Sequence, residues 1–490
     1  MSGSSTSCRS PLLLVLLLYP LAGESQHTAA AGGECDTLLA VKKDWGSPTQ
    51  LAYWDPATAA NHCTWKGVRC AGGGIVTELS FPGLNLTRPV PASVCALKNL
   101  TRLDLSYNTL TGAFPAAALY ACAQLRFLDL SNNHLSGPLP ADIDRLSPAM
   151  EHLNLSTNLF IGEVPPTIAR LTALKSLLLD TNRFSGAYPA AGISELVRLE
   201  MLALANNPFA PAPVPPEFGK LTKLNYLWMS GMNLNGEIPE AFSSLTELKV
   251  LRMSSNKLTG KIPAWVLQHG KLEYLYLFGN GLSGELPRNV SAVNLIELDL
   301  SMNHLTGEIP EAFRDLKKLT LMFLYQNQLT GSIPAWVFQH EKLEYLCLDE
   351  NGFTGNLPRD ITATNLILLN LSRNQLTGEI PQGFGNLKNL KRLFLQNNRF
   401  TGTLFQDGMK IIHEGIKKIR ELLKHIVSSP SRMQAFNEIA VVNGLPTKHG
   451  IALDIPNHWN STFKMVAEAI KYKTVLNSYA NQHAEIPPNE

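Results

Sequence analysis

One pattern, L-x-x-L-x-L-x-x-N, constrains this chain more than any other feature, because it returns every 23 to 25 residues. Its last position falls fourteen times in succession, at Leu84, Asn108, Asn133, Asn158, Asn182, Asn207, Met232, Asn256, Asn280, Asn303, Asn327, Asn351, Asn374 and Asn398. A period of this length indicates a solenoid, in which each turn of chain packs only on its two neighbours.

Residues 100–108 (LTRLDLSYN) show the physical role of each position. Leucines alternate with polar residues, as the period of a strand requires, so Arg102, Asp104 and Ser106 are expected to point away from the core. A buried amide at Asn108 could bond backbone groups of adjacent turns, which predicts a ladder of asparagines. The expected fold class is therefore an α/β repeat solenoid with an inner parallel sheet.

The N-terminus has the pattern of a secretory targeting sequence. Arg9 is followed by residues 11–22 (PLLLVLLLYPLA), which match a signal-peptide core and are too short to span a bilayer. We predict a signal peptide over residues 1–24, with a short buried helix as the alternative. The expected location is the secretory pathway and the extracellular space, or the plasma membrane if the natural transcript continues into a transmembrane helix.

The nearly balanced net charge argues against two classes of binding partner. The chain has 42 Lys and Arg residues against 40 Asp and Glu residues, so its net charge does not favour nucleic acid or an anionic membrane surface. Protein-kinase signatures are absent from the sequence: there is no glycine-rich ATP loop and no V-A-I-K, H-R-D or D-F-G motif. We predict no enzyme activity, no catalytic residue, no metal and no small-molecule cofactor.

The second half of each repeat, for example residues 305–310 and 376–381 (both LTGEIP), resembles plant extracellular leucine-rich repeats. Residues 63–70 (CTWKGVRC), preceded by residues 38–42 (LLAVK) and Trp54, resemble the N-terminal cap of plant receptor-like kinases and receptor-like proteins. The resemblance covers about residues 35–404 and is strongest to the ectodomains of HAESA-like receptor kinases. It implies a plant-type leucine-rich-repeat superhelix with a cap over residues 30–74 and fourteen repeats over residues 75–404.

The resemblance also implies partners and cross-links. The expected partners are a secreted peptide or protein ligand and a co-receptor that is itself a leucine-rich-repeat ectodomain. A Cys63–Cys70 disulfide would staple the cap. Cys95 and Cys122 lie on adjacent turns and are plausible partners, with two free buried thiols as the alternative. A second function remains open, a secreted inhibitor of a cell-wall-degrading enzyme similar to polygalacturonase-inhibiting proteins.

Residues flanking the inward leucines form the expected ligand-binding face, which becomes aromatic from the seventh turn. The candidate binding residues are Tyr226, Trp228, Arg252, Tyr274, Tyr276, Phe278, Phe323, Tyr325 and Tyr345. Exposed aromatic side chains near an arginine are typical of binding hot spots. The alternative is that the rings only cover one another across strands. HAESA-like receptors hold the ligand's carboxylate with a late R-x-R pair, and here Arg392 stands alone beside Phe394.

An internal duplication of whole turns covers part of this region, and the differences between the two copies fall on or beside the expected face. Residues 262–290 recur 71 residues later as residues 333–361, and Tyr276 is replaced by Cys347. On the expected face Cys347 would be an exposed free thiol. Candidate N-glycosylation sequons begin at Asn85, Asn99, Asn154, Asn289, Asn370 and Asn460.

After Leu404 the repeat ends, and residues 405–490 are predicted to form a mostly helical tail. Residues 429–432 (SPSR) and 459–462 (WNST) resemble an internal piece of plant hAT-type transposases of the RICESLEEPER group. His458 replaces the arginine usual before Trp459, and most of the family's catalytic core is missing, so the fragment cannot assemble the carboxylates of a metal site and no nucleic-acid partner is expected. The sequence is compatible with a genuine fusion and with an incorrectly assembled gene.

Overall fold

The computed structural model describes residues 28–57, 61–401, 421–426, 428–443, 445, 475–476 and 478–479. The chain divides into two compact units. The first comprises Met1–Gly355, Thr362–Gln375 and Lys388–Asn398, and the second comprises Asn356–Ile361, Leu376–Leu387 and Arg399–Glu490. The predicted signal peptide lies outside the described residues.

The first unit is a leucine-rich-repeat solenoid, which confirms the predicted fold class. Within residues 61–401, fifteen strands form one sheet in chain order, hereafter the main sheet. Its first two strands, Val68–Ala71 and Ile75–Ser80, are antiparallel, and the later pairs are parallel. The later strands are Arg102–Asp104, Phe127–Asp129, His152–Asn154, Ser176–Leu178, Met201–Ala203, Tyr226–Trp228, Val250–Arg252, Tyr274–Tyr276, Glu297–Asp299, Leu321–Phe323, Tyr345–Cys347, Leu368–Asn370 and Arg392–Phe394.

Between one strand of the main sheet and the next, the chain forms short strands and short helices. Small parallel sheets are built from Thr111–Gly112, His134–Pro138, Leu159–Gly162 and Arg183–Phe184, from Ala212–Pro213, Leu234–Gly236 and Lys257–Leu258, and from Ser283–Glu285, His304–Gly307 and Gln328–Leu329. The returning segments include short helices such as Ala116–Leu119, Pro166–Arg170, Ala190–Ile193, Pro216–Lys220, Glu240–Ser244, Ala264–Leu267, Glu311–Asp315 and Ala335–Gln339. Several of these follow a proline, which fixes the backbone as the chain enters the turn.

The core runs the length of the solenoid beneath the main sheet. The central residue of each strand from Arg102–Asp104 to Leu368–Asn370, for example Leu103, Leu227 or Leu298, is completely buried. Phenylalanines from the returning segments, such as Phe218 and Phe313, are equally buried. The solenoid is therefore stabilised by stacking like residues of successive turns.

Buried asparagines cross-link these turns, as predicted. The Asn303 side-chain oxygen accepts a bond from the Leu282 N–H of the preceding turn at 3.1 Å. Its amide nitrogen donates to the carbonyls of Leu277, Leu300 and Ser301 at 3.0, 3.1 and 3.0 Å. Asn108, Asn133, Asn158, Asn182, Asn207, Asn327, Asn351 and Asn374 repeat this arrangement. One side chain per turn thus satisfies polar groups that no strand partner reaches.

The turn that carries Met232 has no such amide. The Phe209 N–H, which Asn at this position would bond, donates instead to the Asn207 carbonyl at 2.9 Å. The neighbouring Asn233 amide donates to the Phe209 carbonyl at 3.0 Å. The Asn233 amide thus keeps one side-chain hydrogen bond between these two turns, where Asn303 makes two.

The N-terminal cap contains the helix Thr28–Asp44 and the disulfide Cys63–Cys70. Trp54 is fully buried and stacks on Trp65 at 5.5 Å. Gly67 has φ +83°, and a Cβ there would lie 2.3 Å from the Phe81 ring, so glycine is required. These contacts cover the open end of the solenoid core.

A second disulfide, Cys95–Cys122, joins the segments that lead into two successive strands. The two cysteines are 27 residues apart in sequence, so the bond links one turn to the next.

The second unit is described in part. Gln375–Gly378 pairs with Arg399–Phe400, and the short helix Gln382–Asn386 lies in the same unit; Thr354–Asn356 precedes them. The helix Pro430–Val442 begins on Pro430, whose missing N–H costs nothing there. A small core joins Leu423, Ile426, Phe436, Ala440, Val475, Leu476 and Tyr479. The tail sequence around Trp459 lies outside the described residues.

The asparagine ladder gives a stability prediction. Replacing Asn303 by Leu would leave the Leu282 N–H and three carbonyls without their partner, so we expect the free energy of unfolding to fall by about 3 kcal/mol. Urea unfolding followed by circular dichroism would measure the loss. The matched control is Met232→Leu, which removes no hydrogen bond and should change stability by less than about 1.5 kcal/mol. Equal stability of the two variants would contradict the role given to the ladder.

Candidate functional site

Parallel, in-register pairing arranges the outward side chains of the main sheet in rows that cross the strands. The first outward positions form the row Tyr226, Val250, Tyr274, Glu297, Leu321 and Tyr345. The second outward positions form the row Trp228, Arg252, Tyr276, Asp299, Phe323 and Cys347. Phe278 and Tyr325 lie two residues beyond the second row. All nine candidate binding residues are half-exposed, and together they are called the aromatic stretch below.

Within the aromatic stretch, rings of one row are separated by a non-aromatic neighbour. Val250 lies between Tyr226 and Tyr274, and Arg252 lies between Trp228 and Tyr276. Because strands are about 4.8 Å apart, rings on alternate strands are about 10 Å apart. The ring pair found among these residues in the described structure is Phe323–Tyr325, with centroids 6.0 Å apart. Mutual ring packing therefore does not account for most of the stretch.

Arg252 is the cation at the centre of this arrangement. Its guanidinium carbon lies 4.8 Å from the Tyr276 ring centroid and 6.0 Å from that of Trp228. Both distances fall within the range of cation–π attraction, which holds the charge between the two rings.

These residues line an open cavity of about 400 Å³. It is formed by Asn206, Trp228, Ser230, Arg252, Ser254, Ser255, Tyr276 and Phe278. The lining combines three aromatic rings with an amide, hydroxyls and a guanidinium, which is the combination expected of a binding site for a small or extended ligand.

Sequence reasoning missed Ser230 and Ser254. In four other turns a serine donates its hydroxyl to the Asp or Asn two residues earlier, as Ser106 does to Asp104 at 2.8 Å and Ser372 does to Asn370 at 2.8 Å. Tryptophan and arginine replace that acidic or amide residue before Ser230 and Ser254, whose hydroxyls bond each other at 3.0 Å. Interruption of the Asx-x-Ser pattern is the sequence signal that could have marked this cavity.

The next strands provide acidic groups that are already engaged. The Tyr276 hydroxyl donates to the Glu297 carboxylate. Burial, together with this bond, raises the pKa of Tyr276 above its ordinary value. Burial also raises the pKa of Asp299, whose carboxylate accepts from the Ser301 N–H at 3.0 Å and from its hydroxyl.

A second cavity, of about 290 Å³, lies on earlier turns of the same sheet. Its lining includes the stacked pair Phe127 and His152, with centroids 4.2 Å apart, and Ser176, whose hydroxyl is buried without a partner among the described residues. Burial lowers the pKa of His152. The charges beside this cavity are mostly paired, because Arg126 and Lys175 both contact Glu151.

The prediction that Cys347 is exposed is wrong. Its side chain is buried, with only 7% of its surface accessible, because it lies between Phe323 and Asn370 in the second row. Burial, with the negative charges of Asp349 and Asp299, raises the pKa of the Cys347 thiol to about 12. The thiol is therefore protonated and unreactive at neutral pH.

The sequons occupy different environments. Asn85, Asn99 and Asn289 are exposed. Asn154 is buried, and its amide donates to Asp129 at 2.9 Å. The Asn370 side chain is half-buried and accepts from the N–H and hydroxyl of Ser372 at 3.1 and 2.8 Å. Asn460 lies outside the described residues.

Among the described residues, one group brings possible metal-ligand atoms close together. It consists of His62, Cys63 and Cys70, whose ring nitrogen and sulfur atoms lie within 4.8 Å of one another. Both sulfurs belong to the disulfide, so no thiolate is available to a metal.

Among the residues that the structure describes, no helix has both the length and the apolar character needed to cross a bilayer.

A family model for a leucine-rich-repeat region matches residues 90–341, more than half of the chain. This protein belongs to the leucine-rich-repeat family. A leucine-rich-repeat N-terminal domain matches residues 32–71, and a single leucine-rich repeat matches residues 365–387.

Solved structures and curated relatives agree on the subclass. The Arabidopsis receptor kinase HAESA, solved with the peptide hormone IDA and the co-receptor SERK1, has a TM-score of 0.71 and 34% identity over 75% of this chain and 62% of that one. Receptor-like protein 52 of Arabidopsis thaliana is 40% identical over 360 residues, 73% of this chain and 35% of its own length. The repeat region is thus similar to the ectodomains of HAESA-like receptor kinases, and the chain spans about a third of that curated relative.

The C-terminal region matches a different family. The model described as ZBED1 RNase-like helical domain matches residues 399–487. Zinc finger BED domain-containing protein RICESLEEPER 2 of Oryza sativa subsp. japonica is 36% identical over 88 residues, 17% of this chain and 12% of its own length. The tail is therefore a ZBED/hAT-like segment, and the resemblance to two unrelated families is confirmed.

The burial of Cys347 predicts slow chemical modification. Because the thiol is protonated and covered, iodoacetamide at pH 8 should alkylate it at least about a hundredfold more slowly than in urea-unfolded protein. Mass spectrometry of the peptide that contains Cys347 would give both rates. Rapid alkylation of the folded chain would contradict its buried position.

The sequon environments predict glycan occupancy. A glycan on Asn154 would remove the bond to Asp129 from a buried site, so we expect folded, secreted protein to carry glycans at Asn85, Asn99 and Asn289 and none at Asn154. Enzymatic deglycosylation in heavy-oxygen water followed by peptide mass spectrometry measures each occupancy. Full occupancy of Asn154 would show that its amide is not committed to the sheet.

Proposed function

We propose that this chain is an extracellular recognition protein that binds an extended secreted peptide, or a flexible segment of a secreted protein, along the main sheet. The observation that carries the proposal is the aromatic stretch. Its side chains are partly exposed, while the leucines between them on the same strands are fully buried. Since the core is complete without the aromatic side chains, a ligand that covers them is the best explanation of their exposure.

The dimensions suit an extended peptide. Five strand spacings separate Trp228 from Cys347 along the second row, which corresponds to about 24 Å at 4.8 Å per spacing. An extended chain rises about 3.3 Å per residue. A peptide segment of roughly seven residues would therefore contact the whole stretch.

Similarity to HAESA supports the class of ligand and of partner. That receptor was solved with a peptide hormone and a co-receptor. We accordingly propose a peptide as ligand and a second leucine-rich-repeat ectodomain as co-receptor, in the secretory pathway and the plant extracellular space. Arg392 has no neighbouring arginine two residues away, so the peptide's C-terminus would be held differently from the family's usual ligand.

One observation favours a second candidate. Polygalacturonase inhibitor 2 of Phaseolus vulgaris is 33% identical over 110 residues, 21% of this chain and 32% of its own length. Inhibition of a cell-wall-degrading enzyme would use the same exposed sheet against a folded partner rather than an extended one.

The domain limits belong to the same proposal. We propose a signal peptide at residues 1–24, a cap at 30–74, fourteen repeats at 75–404 and a transposase-like segment at 405–490. We propose no catalytic role and no nucleic-acid partner for the tail, because a metal-dependent strand transfer needs several carboxylates held together by a whole catalytic core and the resemblance covers only an internal piece of it.

The aromatic stretch gives the decisive test. Ten- to fifteen-residue peptides displayed on phage would be selected on the secreted full chain, and the best would be measured by calorimetry. Trp228→Ala with Tyr276→Ala should weaken their binding roughly thirtyfold or more, because hot-spot aromatics contribute about 2 kcal/mol or more each.

The matched control is Glu240→Ala with Lys257→Ala, two exposed residues outside the main sheet, which should leave the affinity unchanged. Equal binding to the aromatic double variant would refute the proposed face. Inhibition of a polygalacturonase by the wild-type chain, without peptide selection, would favour the second candidate.

A further inference from the structure

Arg252 differs from the other arginine that the structure places over an aromatic ring of the main sheet. The Arg102 guanidinium lies 3.4 Å from the Phe127 centroid and also contacts the Asp104 carboxylate at 3.5 Å. The Arg252 side chain makes neither an ion pair nor a hydrogen bond with any described residue. Its Nε is buried and without a partner. The Arg252 guanidinium is thus flanked by two aromatic rings and has no anionic partner among the described residues.

This arrangement is costly for the free protein. A guanidinium carries five N–H donors, and water or an anion must satisfy them. Burying part of the group without a counter-charge costs free energy that the two cation–π contacts recover only in part. Since Arg252 serves no visible partner, its position indicates that the counter-charge arrives from outside.

Nearby carboxylates do not fill this role. Glu297 accepts the hydroxyl of Tyr276, and Asp299 accepts from the N–H and hydroxyl of Ser301. Glu297 lies in the other row, opposite Tyr274 rather than Tyr276. The acidic groups of the adjacent turn are therefore engaged, while the cation remains unpaired.

Hydroxyl donors adjoin the guanidinium. Ser230 and Ser254 share a single hydrogen bond of 3.0 Å, in which one hydroxyl must donate and the other accept. The accepting hydroxyl keeps its own hydrogen and can donate it to a ligand. In this turn and the next, the Asx residue that elsewhere binds the serine hydroxyl is replaced by Trp228 and Arg252. The cavity thus offers donors and no carboxylate.

We infer that Arg252, with the Ser230–Ser254 pair, forms an anion clamp that holds a carboxylate or sulfate group on the bound ligand. This inference rests on the proposed function for the identity of the ligand, an extended peptide with an acidic or sulfated side chain that lies between Trp228 and Tyr276. The cavity of about 400 Å³ accommodates such a side chain beside the two rings. Contact with the Trp228 and Tyr276 rings would reduce the hydration of the ion pair and so strengthen it.

Small aromatic anions test the clamp without a peptide. Phenylacetate, phenyl sulfate and the neutral phenylacetamide would be titrated into the secreted full chain, with binding followed by ligand-observed saturation-transfer NMR. Both anions should bind at least about tenfold more tightly than phenylacetamide. The comparison of phenylacetate with phenyl sulfate shows which oxyanion the clamp prefers. Raising the salt concentration from 0.05 to about 0.5 M should weaken only the anions.

Variants separate the clamp from a general charge effect. Arg252→Gln should abolish the preference for anions, and Arg252→Lys should restore part of it, because lysine keeps the charge and loses the planar fork. The matched control is Arg102→Gln, which removes a stacked arginine that already has a carboxylate partner and should leave the preference intact. Thermal unfolding would confirm that each variant is folded.

The outcomes distinguish this inference from the proposed function. Equal binding of anionic and neutral probes, or an anion preference that survives Arg252→Gln or is lost equally in Arg102→Gln, would overturn the clamp. Phage selection that yields peptides without an acidic residue would leave the proposed function and overturn the clamp. A preserved anion preference with no selected peptide would support the clamp and overturn the proposed function.

Discussion

Contact between neighbouring turns is the interaction on which the rest of this molecule depends. No single turn can bury its leucines, and none can satisfy the backbone groups that leave its strand. Stacking solves both problems, because leucines of successive turns bury one another and an asparagine side chain makes two hydrogen bonds to the preceding turn and two within its own, as Asn303 shows. Once these inward positions are fixed, the outward positions of each strand are not needed to form the core.

That division explains how one scaffold presents a specific surface. In several turns the outward residues still contribute to local order, because an Asp or Asn binds the serine two residues later. At Trp228 and Arg252 this contribution is given up, and an arginine is held between two rings instead. The stability of the strands comes from beneath, so the exposed residues can be poorly matched to one another and remain available to a partner.

Much of this could be predicted from the sequence. The period, the inward leucines and the amide ladder follow from spacing alone, since each depends on contacts between equivalent residues. The aromatic stretch was found from the same frame, but the serines of the cavity were not, because a serine beside a strand is usually satisfied locally, as Ser372 is. Cys347 was predicted to be exposed from its outward register. Its short side chain is instead buried, between the strand neighbours Phe323 and Asn370, because alternation reports the direction of a side chain and not the size of the groups around it.

The turn of Met232 gives the solenoid a mechanical property. Asn303 makes two hydrogen bonds to the preceding turn, whereas at this joint the Asn233 amide makes one, on the same turn that supplies Trp228. A stacked chain under tension parts first where its joints are weakest. We therefore expect a pulling force along the solenoid to separate the turn of Asn207 from the turn of Met232 before the other described joints of the ladder, so that the aromatic stretch would remain folded on one side of the break.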